Sequence, residues 1–210
     1  MSELRTSVGL AFLSATPALA PARSPLAGAA ARSGARLGER GGWELAIAFA
    51  RPEEEARAIR ESVALADAAP LSVLELPDGE PDRREGTWLC PVGADRLLAI
   101  GPADGAVGGD GLDVSGAYAG LRLLGPLARD AIARFCALDL RPHVSPPGSF
   151  RPGSVARQPG MIVVEGPERF LLLFGWAVGE YVWTVVEDAA RSLGGAPAGI
   201  EALVEAVARA

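Results

Sequence analysis

The sequence predicts an α+β fold of two split β-α-β-like lobes with antiparallel sheets, and three observations carry that reading. Apolar and polar residues alternate over short runs, the period-2 signature of strands with one buried face. Several runs are joined by turn residues few enough to close hairpins, which makes the pairing antiparallel. Helical stretches lie between these pairs in both halves and must cover a sheet face. With 210 residues, the chain can bury roughly 70% of its unfolded surface and needs neither disulfide nor metal to fold. The expected organisation is a flexible arm over 1–22, a first lobe over 23–112 and a second over 113–210.

In the first lobe Ser24-Pro25-Leu26 opens a short helix to Arg32, with Ser24 as N-cap and Pro25 in the first turn. Trp43, Leu45, Ile47 and Phe49 alternate with Glu44, Ala46 and Ala48 as a strand. Arg51 to Val63 reads as a helix whose first turn holds Glu53, Glu54 and Glu55, where the dipole favours anions. Consecutive helical residues point about 100° apart, so these acids cannot converge on one ion, and a solvated helix start is expected. Leu71 to Leu76 is a strand. Thr87 to Val92 and Arg96 to Ile100 form a hairpin around Gly93-Ala94-Asp95.

The second lobe repeats the theme. Tyr118 to Leu124 is a strand, and Gly125-Pro126 turns it into a helix with Leu127, Ala131, Ile132, Phe135 and Leu138 at helical spacing. Arg141 to Gly153 contains four prolines and reads as loop. Ser154 to Gln158 and Met161 to Glu165 are strands, the second paired with Arg169 to Phe174 across Gly166-Pro167-Glu168. Gly179 to Leu193 is the best amphipathic helix, with Val178, Tyr181, Val182, Val185, Ala189 and Leu193 on one side and Gly194-Gly195 as its stop. A short helix follows Gly199.

Composition narrows the chemistry. All 20 basic side chains are arginine, there is no lysine, and His143 is the single histidine. A lysine Schiff base, a phosphate-loop lysine and a His–His acid–base pair within the chain are therefore excluded. Net charge is −6, which disfavours a general nucleic-acid binder. No apolar run is long enough to span a bilayer. Val8 to Ala20 ends in Ala18-Leu19-Ala20, like a secretory cleavage site, but Glu3 offsets Arg5 and Ser14, Thr16 and Pro17 interrupt the stretch. An arm on a cytoplasmic protein is expected instead. Cys90 and Cys136 are expected as reduced core thiols.

The candidate sites are few. The glycines at 105, 108, 109 and 111 lack the strand–glycines–helix context of a phosphate loop and have Asp110 and Asp113 beside them. His143 lies in a proline-rich segment with no Gly-x-Ser-x-Gly elbow elsewhere to serve. No catalytic and no metal-ligating set emerges, and apolar packing is expected throughout the interior. Trp176, Tyr181 and Trp183 cannot all share one buried helix stripe, and so they are the candidate partner interface.

Order along the chain carries a resemblance. Ala64 to Leu76, and Asp113 to Arg129 with Leu138-Asp139-Leu140, resemble segments of glycine-cleavage T-protein-like folate-binding proteins. Arg23 to Leu26, Phe150 to Arg157, and Phe170 to Phe174 leading to Glu180-Tyr181-Val182-Trp183 are similar to the gamma subunit of heterotetrameric sarcosine oxidase. The catalytic members carry adjacent aspartates before a strand; Glu80 to Gly86 has no such pair, so catalysis is not implied. Asp82, and Glu168 in place of the glutamate that grips the pterin, remain as candidate folate contacts.

The resemblance implies a non-catalytic subunit of a flavin-dependent complex that demethylates sarcosine oxidatively. In such a complex FAD, FMN, NAD and tetrahydrofolate sit on larger flavoprotein subunits, and this chain stabilises the largest of them. The alternative is a stand-alone folate-binding module or vestigial aminomethyltransferase.

Overall fold

The structure, a computed structural model, describes residues 21–77, 86–102 and 111–208. The arm of the sequence reading, most of its glycine-rich loop and Asp82 lie outside these residues. In chain order the first half holds β1 (Ala22–Arg23), α1 (Ala27–Arg32), β2 (Arg36–Arg40), β3 (Trp43–Ala48), α2 (Pro52–Glu61) and β4 (Ala64–Asp67). There follow β5 (Leu71–Pro77), β6 (Trp88–Gly93), β7 (Arg96–Pro102), β8 (Leu112–Asp113), β9 (Tyr118–Leu124) and α3 (Ala128–Ala133). The rest comprises β10 (Phe150–Val155), β11 (Gln158–Gly166), β12 (Arg169–Gly175), α4 (Gly179–Arg191), β13 (Ala196–Pro197) and α5 (Ile200–Ala208).

These strands form three sheets. The largest has the order β10-β11-β12-β9-β4-β13, the second β6-β7-β5-β8 and the smallest β1-β3-β2. All pairings are antiparallel except β1 with β3 and β13 with β4. The expected boundary at 112/113 falls inside β8, which pairs with β5. In addition, β4 from the first segment lies beside β9 within the large sheet.

One face of the large sheet carries the main core, where Leu65, Leu121, Leu123, Phe170, Leu172 and Ile162 meet α1, α3 and α4. On the other face Met161, Val163, Leu171 and Leu173 pack against Val73, Cys90, Leu98 and Ile100 of the second sheet. Farther along that face Ala66 and Leu124 meet Leu203 of α5.

Several elements differ from the sequence expectation for physical reasons. Residues 150–153 are strand, not loop, because β10 is an edge strand where Pro152 need not donate to a ladder. Ala156 and Arg157 are turn residues with φ of 49° and 64°, closing a two-residue hairpin between Val155 and Gln158. Along α4 the buried stripe is Val182, Trp183, Val186, Ala189 and Ala190, one residue around from the expected one. Helix α1 begins at Ala27 with Leu26, not Ser24, at its N-cap and no side-chain cap; Ser24 Oγ instead accepts the Leu26 N–H at 3.1 Å in the turn that precedes the helix.

Glu55 corrects the reading of a solvated helix start. It is 2% exposed. Its Oε1 accepts the N–H groups of Phe49 and Ala50 at 2.6 and 2.8 Å, and its Oε2 accepts that of Gly199 at 2.8 Å. One carboxylate thus ties the exit of β3, the start of α2 and the start of α5. Gly199 permits that approach, since a Cβ there would lie 1.9 Å from the Ile47 carbonyl oxygen.

Candidate functional site

The large sheet leaves part of one face open between the second sheet and α5. This opening is a cleft of about 670 Å³. Ala68, Ala69 and Pro70 form one wall, Gly86 and Trp88 a second, and Ile200, Leu203 and Val204 a third. Arg122, Leu124, Glu165 and Arg169 line it from the sheet.

The charged floor has a local cause. Arg122 projects from β9 and Glu165 from β11, with β12 between them. The ladder pairs Val164 with Phe170 and Gly166 with Arg169, so Glu165 is the extra residue of a β-bulge. Arg122 reaches across to it with Nε 3.1 Å from Oε2, and both Nε and Nη2 3.2 Å from Oε1. The side chains are 30% and 12% exposed. The sequence reading missed both residues. Their signal was a lone charge in an otherwise apolar strand, but the bulge is visible only once the register is known. Apolar packing alone does not fill the interior: Glu55 and Asp67 are buried carboxylates, and this pair is partly buried.

Asp67 also borders the cleft, yet strand alternation sends its side chain to the opposite sheet face from Ala66 and Ala68, where Ser24 meets it. Its Oδ1 accepts the Ala69 N–H at 2.9 Å, and Oδ2 is buried without a hydrogen-bond partner. Burial pushes its carboxyl up from 3.8 to about 6, against the opposing pull of Ser24 and Ala69. Because the folded state holds the proton more tightly, the associated stability is present below pH 3.8 and lost as pH rises through about 6. Over that window the loss is about 3 kcal/mol. Asp67→Asn keeps the acceptor for Ala69 and removes the buried charge. Its stability relative to the unsubstituted chain is therefore expected to rise by about 2.4 kcal/mol of that total between pH 4 and pH 7.5 in urea unfolding. A difference that stays constant across this range would refute the assignment.

The other candidates scatter. Glu168 is exposed at the β11–β12 turn and borders a neighbouring hollow with Arg60 and Arg169, not the cleft. His143 is exposed. Trp176 and Tyr181 are 37% and 47% exposed near the start of α4. Trp183 is corrected from interface to core: it is 1% exposed, stacks on Phe49 at 5.9 Å between ring centroids, and donates its indole N–H to Ser33 Oγ and Glu187 Oε2. Burial alone would raise the Glu187 carboxyl, but hydrogen bonds from Ser33, Arg191 and Trp183 hold it below its ordinary value. Both cysteines are buried free thiols, and burial pushes Cys90 up to about 12. Among the described residues no helix is long and apolar enough to cross a membrane.

A pterin is the group that the resemblance in the sequence implies. Its donor edge needs a buried carboxylate with free acceptor capacity. In the cleft Glu165 shares both oxygens with Arg122, and Glu168 lies outside it. The described residues do not fit a pterin.

No protein-family model and no curated protein matches this chain. Solved structures do. The chain matches over 83% of its length, and over 97% of the other chain, a structure of heterotetrameric sarcosine oxidase from Corynebacterium sp. U-96 in complex with pyrrole 2-carboxylate; the TM-score is 0.60 at 21% identity. It matches the glycine cleavage system aminomethyltransferase T from Bartonella henselae over 86% of its length, with a TM-score of 0.63 at 12% identity. The chain spans 60% of that aminomethyltransferase. What the comparisons share with this chain is the architecture of mixed helices and antiparallel sheets, and the chain has the T-protein-like α+β fold.

Proposed function

We propose that this chain is a non-catalytic, gamma-type subunit of a flavin-dependent, sarcosine oxidase-like complex in the cytoplasm. Its work is to pack against the large subunit and stabilise it, while FAD, FMN, NAD and tetrahydrofolate sit on the larger flavoprotein partners. The observation that carries the reading is the near-complete match, 97%, to one chain of a heterotetramer. Two features support it. Among the described residues that face it, the cleft offers a pterin no uncommitted carboxylate. Trp176 and Tyr181 leave aromatic surface exposed at the start of α4, the kind of anchor that a partner buries.

Purified chain mixed with the large subunit is expected to elute from gel filtration as one stoichiometric complex. Two separate peaks would count against the reading. A stand-alone folate-binding module is the second reading, favoured by the presence of a cleft at all. It requires heat on titrating the isolated chain with tetrahydrofolate.

A further inference from the structure

The cleft is rich in donors and poor in free acceptors. Arg122 commits Nε and Nη2 to Glu165, which leaves its Nη1 uncommitted. Arg169 is held in the ladder by its backbone, but its side chain has no hydrogen-bond or ion-pair partner among the described residues. Its guanidinium lies back over the hairpin because residue 166 is glycine, where a Cβ would come within 3.2 Å of Arg169 Nε. The adjoining hollow shares Leu124 and Arg169 and adds Arg60 and Glu168. Together the two hollows set Arg60, Arg122 and Arg169 against Glu165 and Glu168, with the Asp67 carboxyl turned to the far side of the sheet. Among the described lining residues that is a local excess of one positive charge, in a chain of net charge −6.

The remaining surface is apolar and in part flat. Trp88 faces the cleft from the second sheet, and Ile200, Leu203 and Val204 face it from α5. An unpaired guanidinium beside an indole and aliphatic walls matches a single carboxylate on a flat apolar body. Among the described residues a doubly charged phosphate would find one arginine without a partner, Arg169, while the other, Arg122, already shares its charge with Glu165. A neutral hydrogen-bonding heterocycle would find Glu165 already taken.

We propose that the cleft binds a small aromatic monocarboxylic acid, its carboxylate on Arg169 and its ring between Trp88 and α5. Arg169 supplies the charge-assisted hydrogen bonds. The Arg122–Glu165 pair closes the floor as a neutral unit, and Gly166 gives Arg169 the room to lie where it does. This site does not depend on the subunit reading, and complex formation with a large subunit is a separate measurement from ligand binding.

The full chain is titrated with 2-naphthoate and, in parallel, with 2-naphthalenemethanol, which has the same ring system and no charge. Calorimetry and quenching of tryptophan fluorescence are the readouts. Saturable one-to-one binding of the acid is expected, with the alcohol about tenfold weaker or more. Arg169→Gln is expected to weaken the acid by about the same factor while leaving the alcohol and the thermal midpoint unchanged. Gly166→Ala, which crowds the guanidinium, is expected to weaken the acid in the same direction and provides a second variant. Trp88→Phe is expected to remove most of the fluorescence change and retain the heat. Equal binding of acid and alcohol, unchanged binding in Arg169→Gln, or no saturable binding of the acid would each overturn the proposal.

Discussion

Glu55→Ala is expected to destabilise the protein by about 4 kcal/mol in urea unfolding at pH 7, because three N–H groups lose their acceptor together. The Gly199 N–H is buried and can recover no water, whereas those of Phe49 and Ala50 are partly accessible and recover some. For this reason the estimate lies below three full penalties for an unsatisfied donor, each about 1–3 kcal/mol. The loss is expected to fall on the joint between β3, α2 and α5, so amide exchange in α5 should accelerate before that of β9 or β12. Glu55→Gln separates charge from shape. Its amide oxygen can keep Phe49 and Ala50, but its NH₂ then meets the Gly199 N–H donor to donor. About half the loss, roughly 2 kcal/mol, is expected. A Glu55→Ala protein within about 1 kcal/mol of the unsubstituted chain would show that the three bonds are not holding this joint.

Trp183→Ala is expected to cost about 4 kcal/mol, in the range for emptying a fully buried large aromatic site. The ring stacks on Phe49 and its N–H is shared between Ser33 and Glu187. The substitution therefore opens a cavity and strips a donor from a partly buried carboxylate at once. Trp183→Phe retains most of the packing and is expected to lose about 1 kcal/mol, the worth of an ordinary hydrogen bond. Trp176→Ala and Tyr181→Ala remove exposed rings, so the stability of the isolated chain should change by less than about 0.5 kcal/mol. If the subunit reading holds, those two substitutions weaken the complex with the large subunit and Trp183→Phe does not. The reverse pattern, with Trp183→Ala silent in unfolding and Trp176→Ala destabilising, would return Trp183 to the surface.

Much of the fold was legible because local pattern and final environment agree. Tyr118 to Leu124 was predicted and is β9 to the residue; its interior position in the large sheet suits an apolar run bounded by a turn. The helix over 51–63 and the hairpin over 87–100 are likewise present as α2, β6 and β7. Where the reading slipped, two answers were locally equivalent. Helix α4 offers one ladder through Tyr181 and Val185 and another through Trp183 and Val186, with Val182 and Ala189 common to both. The larger ring goes inward, where Phe49, just past the end of β3, supplies its stacking partner.

The candidate site was harder to see. The 100° spacing that keeps Glu53, Glu54 and Glu55 from sharing an ion also sends the three to different sides of the helix, and Glu55 is the one that faces inward. Arg122 and Glu165 are 43 positions apart along the chain, and they meet only because β12 separates their strands and a bulge re-aims Glu165. No local pattern encodes that meeting. The sequence makes Arg169 the first residue of a strand, and its side chain's lack of a partner among the described residues is a property of the assembled cleft.

Placing β4 beside β9 has a consequence for how the gene can be divided. Neither of the segments on either side of the junction at 112/113 holds a complete set of edges: the earlier one contributes a filament to the middle of the later one's pleated layer, and β8 is pulled back the other way. Expressed apart, the two pieces would each present raw backbone along an interior seam. They are suited to reassociate as complementing fragments, not to persist as independent modules.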